Sequence, residues 1–348
     1  MGGDPMKRIL TTAAFVLSAA TAPVAAADMS PEVQALYEKA KEEGELTWYV
    51  AQFSTGLAED MGAIFTEKYP GVKVNVIRAT GQVVYARLAQ DIRAGVAQAD
   101  VFSGSDLGHL YELKKQGQLL EFTPPDADGV RAPFKDMQPG FWYATTANPS
   151  VMAYNTDQVS AEDAPTNWDD LTDPKWKGKL AITHPGFSGS AGSWAVLMKK
   201  LYGDEFFIGL RDNDPYIGRS MIDPPTVIAA GERAVGIAVF SVAVRNKLAG
   251  NPIEIVYPTD GAKLTFGGTA VLSSAPHPNA GQLFVNFLLG PEASQRQVEN
   301  GLLPVSKDVA PPEGVRSLEE IPIADLSEEE VIEGVQPIIE EWRDIFGG

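Results

Sequence analysis

Short apolar runs alternate with stretches of helical periodicity along most of this chain, and that rhythm confines it to α/β folds with mostly parallel sheets. Residues 46–51, Leu-Thr-Trp-Tyr-Val-Ala, read as a first strand, followed by a turn at 52–56 and a helix through Phe65. Residues 72–77 alternate apolar side chains with Lys73 and Asn75 and give a second strand. The helix from Gln82 to Ala94 then puts Val84, Leu88 and Ile92 on one face. Residues 99–102, Ala-Asp-Val-Phe, form a third strand that ends in Ser103-Gly104-Ser105-Asp106. A Pro- and Asp-rich stretch at 123–139 breaks the pattern. Strands at about 151–156, 179–183, 216–219 and 234–240 then alternate with helices at about 190–201 and 224–230. No internal repeat is visible.

The first residues have a different character. Lys7 and Arg8 precede an apolar, Ala-rich run from Ile9 to Ala20, and Ala25-Ala26-Ala27 stands before Asp28. This is the order of a secretory signal peptide, so residues 1–27 are expected to be removed by cleavage after Ala27. The apolar run is too short for a membrane span of about 20 residues. A lipoprotein anchor needs a cysteine, and the sequence has none. The expected product is a soluble periplasmic chain. With 46 Asp and Glu against 28 Lys and Arg in the full sequence, the chain is a poor partner for nucleic acid, whose binding rests on neutralising phosphates. The zero cysteines also exclude thiolate catalysis and Cys-based metal sites.

One segment is more specific than the rest. Residues 168–180 read Trp-Asp-Asp-Leu-Thr-Asp-Pro-Lys-Trp-Lys-Gly-Lys-Leu. The order implies a short helical turn, then Asp-Pro, then a basic turn entering a strand. Pro174 disfavours helical geometry at Asp173, and Gly178 lets the chain reverse. The segment resembles the W-x-D-L-x-D-P-x-W-K-G-K-L stretch of periplasmic solute-binding proteins that feed ABC importers, in the branch that handles iron, polyamines and phosphorylated solutes. Residues 99–102, the Tyr154-Asn155-Thr156 strand, Ala230-Gly231-Glu232 with Val235-Gly236-Ile237, and His277-Pro278-Asn279-Ala280 resemble that family too. The resemblance spans about 45–305. It implies a two-lobed, type II-like binding-protein fold with a cleft between lobes, each lobe a mostly parallel sheet flanked by helices. Lobe one is expected at 28–140 plus about 258–305, and lobe two at about 141–257 plus 306–348. The acidic run at 319–341 reads as a solvated face whose helix begins at Pro337, a residue tolerated in a first helical turn.

In such a fold, ligands sit near the carboxyl ends of the strands. The loops there are rich in hydroxyls and glycine. They offer Ser54 and Thr55, Thr80 and Gly81, Ser105, and Ser188, Gly189 and Ser190 within the Gly-rich turn 186–192. Free N–H groups at helix starts, with hydroxyls beside them, form anion sites. Arg78 and Arg219 follow strands and suit a carboxylate or phosphate. Tyr154, with Trp142 and Tyr143 near the crossover, is placed to wall the cleft, and Ser241 follows the 234–240 strand.

Ferric-binding relatives use a His after the first strand, a Glu before the A-D-V-F strand and adjacent tyrosines after the G-E strand. The positions here are Phe53, Ala94 and Ser241-Val242, which cannot supply those donors. No cofactor or metal is therefore expected. No G-x-S-x-G elbow is present, so a secreted hydrolase using Ser188 is the weaker reading, and a ferric protein with different ligands is the other alternative. His277 sits in the H-P-N turn and reads as structural. His184 stands four residues before Ser188 as a further candidate. The expected function is capture of a small organic anion (a carboxylate, sulfonate or phosphorylated solute) by a monomer that closes on it and delivers it to an inner-membrane ABC permease, with no bond made or broken.

Overall fold

The computed structural model describes residues 29–96, 98–135 and 140–347. The expected signal peptide and its cleavage point after Ala27 lie outside the described residues.

Helix α1 (Pro31–Glu43) precedes the first βαβ unit: β1 (Glu45–Val50), α2 (Thr55–Lys68), β2 (Lys73–Arg78) and α3 (Gly81–Ala94). Strand β3 (Val101–Gly104), α4 (Leu107–Lys115) and the short α5 (Ala132–Lys135) follow. A long strand, β4 (Tyr143–Asn155), then leads to β5 (Leu180–Thr183), α6 (Gly189–Tyr202), α7 (Asp204–Asp212), β6 (Tyr216–Gly218), α8 (Asp223–Ala229) and β7 (Val235–Val239). The chain continues through α9 (Phe240–Leu248), β8 (Ile253–Val256), β9 (Leu264–Val271), α10 (Pro278–Leu289), α11 (Pro291–Glu299) and α12 (Glu328–Phe346).

The strands join in the order β2-β1-β3-β9-β4-β7-β5-β6, with β8 also on β4. Within each half the central pairs are parallel: β1 with β2 and β3, and β5 with β6 and β7. The antiparallel pairs all involve β4 or β9, the strands that carry the chain between halves. The sequence places the crossover strand at about 151–156, but β4 begins at Tyr143. Its residues 143–149 pair with β9, and its residues 150–155 pair with β7 and β8. Trp142 and Tyr143 consequently lie buried in the first half instead of walling the cleft.

Each half has an aromatic core. Trp48, Phe65 and Phe284 meet edge-on in the first, and Trp168, Trp194 and Phe206 in the second. The 168–180 segment is a fastening for the second half. Trp168 is buried and its Nε1 donates to the Gly261 carbonyl at 2.9 Å. Trp176 Nε1 donates to the Asp170 carbonyl, and the Asp170 carboxylate accepts from the backbone N–H groups of Thr166 and Asn167. Gly178 has φ +72°, the left-handed conformation the reversal requires.

His277 has the structural role read from the H-P-N turn. Its backbone N–H donates to fully buried Asp100 at 2.6 Å, and its ring sits 3.1 Å from the other carboxylate oxygen. The same carboxylate accepts from Thr47 N at 2.7 Å and so ties β1 to the start of α10.

The C-terminal helix departs from expectation. A capping box at Ser327 and Glu330 starts α12 nine residues before Pro337, which lies inside the helix. The Lys200 ammonium and the Ser327 N–H hold the Glu330 carboxyl down to about 2. Proline has no N–H, so the helix ladder lacks one bond midway along α12. Ile338 and Trp342 in the second half are buried in the second core.

Candidate functional site

A cleft of about 700 Å³ lies between the two halves, lined by loops after strands, by β4 and β9, and by α12. Two helix N-termini enter it from opposite sides. On one side Thr80 caps α3, its hydroxyl making no bond to the helix, with Gly81 and Gln82 behind it. On the other, Ser188 caps α6 by accepting from Ala191 N at 3.1 Å, with Gly189 and Ser190 beside it. The exposed N–H groups of each first turn carry partial positive charge. A third helix start, that of α4, already carries its own carboxylate: Asp106 accepts from Gly108 N at 3.0 Å.

The wall between them comes from β4 and β9. Thr146, Asn148 and Ser150 line it, with Lys263, Thr265, Phe266 and Gly267 from the strand opposite and its approach. Lys263 is buried and lines the cleft, with Nζ donating to the Leu264 carbonyl at 2.7 Å. Beneath lies a chain of hydroxyls. Trp48 Nε1 donates to Ser103 Oγ at 2.7 Å, Ser103 and Thr269 are 2.8 Å apart, and Thr269 and Thr145 are 2.7 Å apart. Thr145 Oγ1 accepts from Gln52 Nε2 at 2.7 Å. That contact leaves Gln52 Oε1 without a partner among the described residues, and Thr265 Oγ1 has none among them either. Both residues line the cleft, and buried polar atoms of this kind are satisfied by a ligand or water. A Cβ on Gly267 would crowd Gln52 Oε1 and Thr146 Oγ1, so any larger residue there would displace the Gln52 side chain.

His109, on α4, also lines the cleft and stacks on Tyr85 with ring centroids 3.7 Å apart. Burial lowers its pKa, and the nearby Asp106 carboxylate opposes the shift. His184 lies outside the lining. It caps the turn before α6 by accepting from Gly186 N at 2.9 Å, and burial and the Arg343 charge lower its pKa.

Of the residues singled out from sequence, the structure brings Thr80, Gly81, Ser105, Ser188, Gly189 and Ser190 to one cleft. Six others lie outside its lining. Ser54 caps α2 through Leu57 N, and Thr55 begins that helix, exposed. Arg78 turns its Nε to the Phe53 carbonyl at 3.1 Å. Tyr154 is buried in the second core, because even-numbered residues at this end of β4 face inward there. Arg219 has its backbone N–H on Asp223 and its guanidinium 5.8 Å from the Phe187 ring, at the edge of the cleft. Ser241 is buried beneath Asn148, whose Nδ2 donates to it at 2.9 Å. Sequence reading missed Gln52, Asn148, Lys263, Thr265 and the α12 residues. Of these only Gln52 carried a signal, since it directly follows the first strand.

A cleft between two α/β halves, crossed by strands and flanked by helix N-termini, is the form of a periplasmic binding protein of the two-lobed class. The chain belongs to the bacterial extracellular solute-binding protein family, whose model matches residues 98–333. Iron-bound HitA from Pseudomonas aeruginosa superposes with a TM-score of 0.71 at 21% identity, covering 86% of this chain and 99% of that one. AfuA from Actinobacillus pleuropneumoniae, solved with exogenous fructose-6-phosphate, gives 0.69 at 26% identity, covering 87% and 98%. The spermidine/putrescine-binding periplasmic protein of Escherichia coli is 24% identical over 215 residues, 55% of this chain and 56% of that protein. Members of this family bind solutes in the periplasm for ABC transporters and are binding proteins, not enzymes.

Proposed function

We propose that this protein captures a small organic anion in the interlobe cleft, as a monomer, and presents it to an inner-membrane ABC permease without making or breaking a bond. The observation that carries this reading is the convergence of the α3 and α6 N-termini, at Thr80–Gly81 and Ser188–Ser190, on a cleft that also holds Lys263. Each N-terminus is worth about 0.3–2 kcal/mol toward an anion. An anion touching both would favour the closed state, because only that state offers both sets of contacts. The relatives' printed ligands are an iron, a sugar phosphate and polyamines, and the donors of this cleft fit the phosphate-like class best. Phe53 is buried, Ala94 ends α3 and Ser241 is spent on Asn148, so those positions offer no hard-donor set for Fe(III). The described residues contain no group of three or more His, Cys, Asp or Glu that could hold a metal.

The reading includes export with cleavage after Ala27. It also takes the lobes as 28–140 with about 258–305 and about 141–257 with 306–348. The pairing of residues 143–149 with β9 supports moving the first crossing to about Ser150.

The test is thermal unfolding of the mature chain with inorganic phosphate, sugar phosphates, carboxylates, sulfonates, spermidine and Fe(III). A true ligand at 100 times its Kd stabilises by about 2.7 kcal/mol. Anion stabilisation that is reduced in Ser188→Ala, without phosphate-ester or ester turnover by either protein, is the expected result. Stabilisation by spermidine or iron alone would overturn the anion class, and turnover lost in Ser188→Ala would establish the hydrolase.

A further inference from the structure

We propose that the ligand is amphipathic: an organic anion with a hydrocarbon body, its charged end at the α3 and α6 N-termini and its apolar part against α12. This rests on the anion reading above. Val331, Ile332 and Val335 of α12 line the cleft, and their side chains offer no hydrogen bond. Phe187 continues this surface and immediately precedes the Ser188 cap, so the apolar wall and the anion turn are one continuous surface. Ile332 is 65% exposed and Phe187 55%, both at a site where a soluble protein gains nothing from bare apolar area. A polyhydroxylated solute would meet four side chains here that leave its hydroxyls unpaired, a costly arrangement. An alkyl or aryl group loses nothing there and gains from leaving water.

The wall is also fixed in place. Its helix crosses α6 where glycines permit close approach: a Cβ on Gly192 would stand 3.0 Å from Val335 Cγ1, and one on Gly334 would stand 2.8 Å from Val196 Cγ1. Lys200 pairs with Glu330 and Lys199 with Glu341 across the same crossing. Val331 and Val335 thus stand on a helix anchored to the one that carries the anion turn.

The experiment is calorimetric titration of the full mature chain with inorganic phosphate and with straight-chain alkyl phosphonates and carboxylates of increasing length. Each methylene that reaches α12 should tighten binding about fourfold. Ile332→Ser, on the exposed lip, should reduce this increment and leave phosphate affinity unchanged, with Val331→Ser as a second variant of the same wall. Equal affinity along each series, or an Ile332→Ser effect that is the same on phosphate and on the longest chain, overturns the inference while leaving the anion reading intact. If neither phosphate nor any member of either series binds, the anion reading itself fails and this inference falls with it.

Discussion

Replacing Gly334 with alanine sets two opposed effects against each other at the crossing of α6 and α12. Alanine is the better helix former by about 1 kcal/mol, so an exposed or loosely docked helix would be stabilised. In this structure the new methyl would stand 2.8 and 2.9 Å from the two γ-carbons of Val196, where ordinary contact is about 3.4–4 Å. Val196 is buried and β-branched, and in a helix its side chain holds one rotamer, so it cannot turn aside. Relief requires the helices to part by several tenths of an ångström, and overpacking of this kind costs about 1–3 kcal/mol. The net expectation is a loss of about 0–2 kcal/mol, read as a fall in Tm of up to about 5 °C.

The deciding assay is a double-mutant cycle by thermal or chemical unfolding. Val196→Ala removes the γ-carbons and by itself costs stability. Combined with Gly334→Ala it should recover the alanine's helical advantage, with a favourable coupling of about 1 kcal/mol or more. A Tm that rises in the single Gly334→Ala variant, or a coupling near zero, would refute tight docking of α12 on α6. The α12 wall of the cleft would then not be the fixed surface described above.

Two further outcomes follow from buried groups. Asp100→Ala should destabilise by about 2 kcal/mol or more, because it strands the partly buried N–H groups of Thr47 and His277; urea unfolding of variant and parent checks this, and a loss below about 1 kcal/mol would show that the carboxylate is not the tie between β1 and α10. His109 and His184 should titrate below 6.5, their pKa values lowered by burial. Well above pH 6.5 both imidazoles are neutral in the folded and unfolded chains. As pH falls through 6.5 the unfolded chain binds protons first, so stability drops until the folded pKa is passed and then levels off. NMR titration of the imidazole resonances tests this, and a His109 pKa at or above 6.5 would mean that attraction to Asp106 outweighs burial.

What sequence revealed and what it hid divide along range of interaction. The strands β1, β2, β5 and β7, the helix α3 and the caps at Thr80 and Ser188 are set by neighbours within a few residues, and periodicity and capping chemistry display them directly. Whether a strand-end residue faces the cleft depends on contacts from far along the chain. Gln52 is held by Thr145, 93 residues away, and Arg78 is drawn to the Phe53 carbonyl in the loop after the neighbouring strand. Ser54 and Ser188 are both hydroxyl caps of a following helix, yet only Ser188 lines the cleft. Residue type told which positions had donors to offer, and topology selected which of them line the cleft.

The C-terminal helix was hidden for a different reason. Its glutamates dominate the composition of 328–341, and Pro337 imitates a helix start, so the apolar positions between the charges carried no visible function. Their role depends on α6. Gly192 lies four residues after the Ser188 cap, close enough that Val335 packs against that first turn. Anything that lifts α12 therefore loosens the turn that presents Ser188, Gly189 and Ser190 to the cleft. If the proposed anion turn and the apolar wall form one mechanical unit, the Gly334→Ala variant should weaken ligand binding by more than Ile332→Ser does for a ligand with no hydrocarbon part. Titration of both variants with inorganic phosphate decides it: equal phosphate affinities would show that the turn at Ser188 holds its geometry without α12.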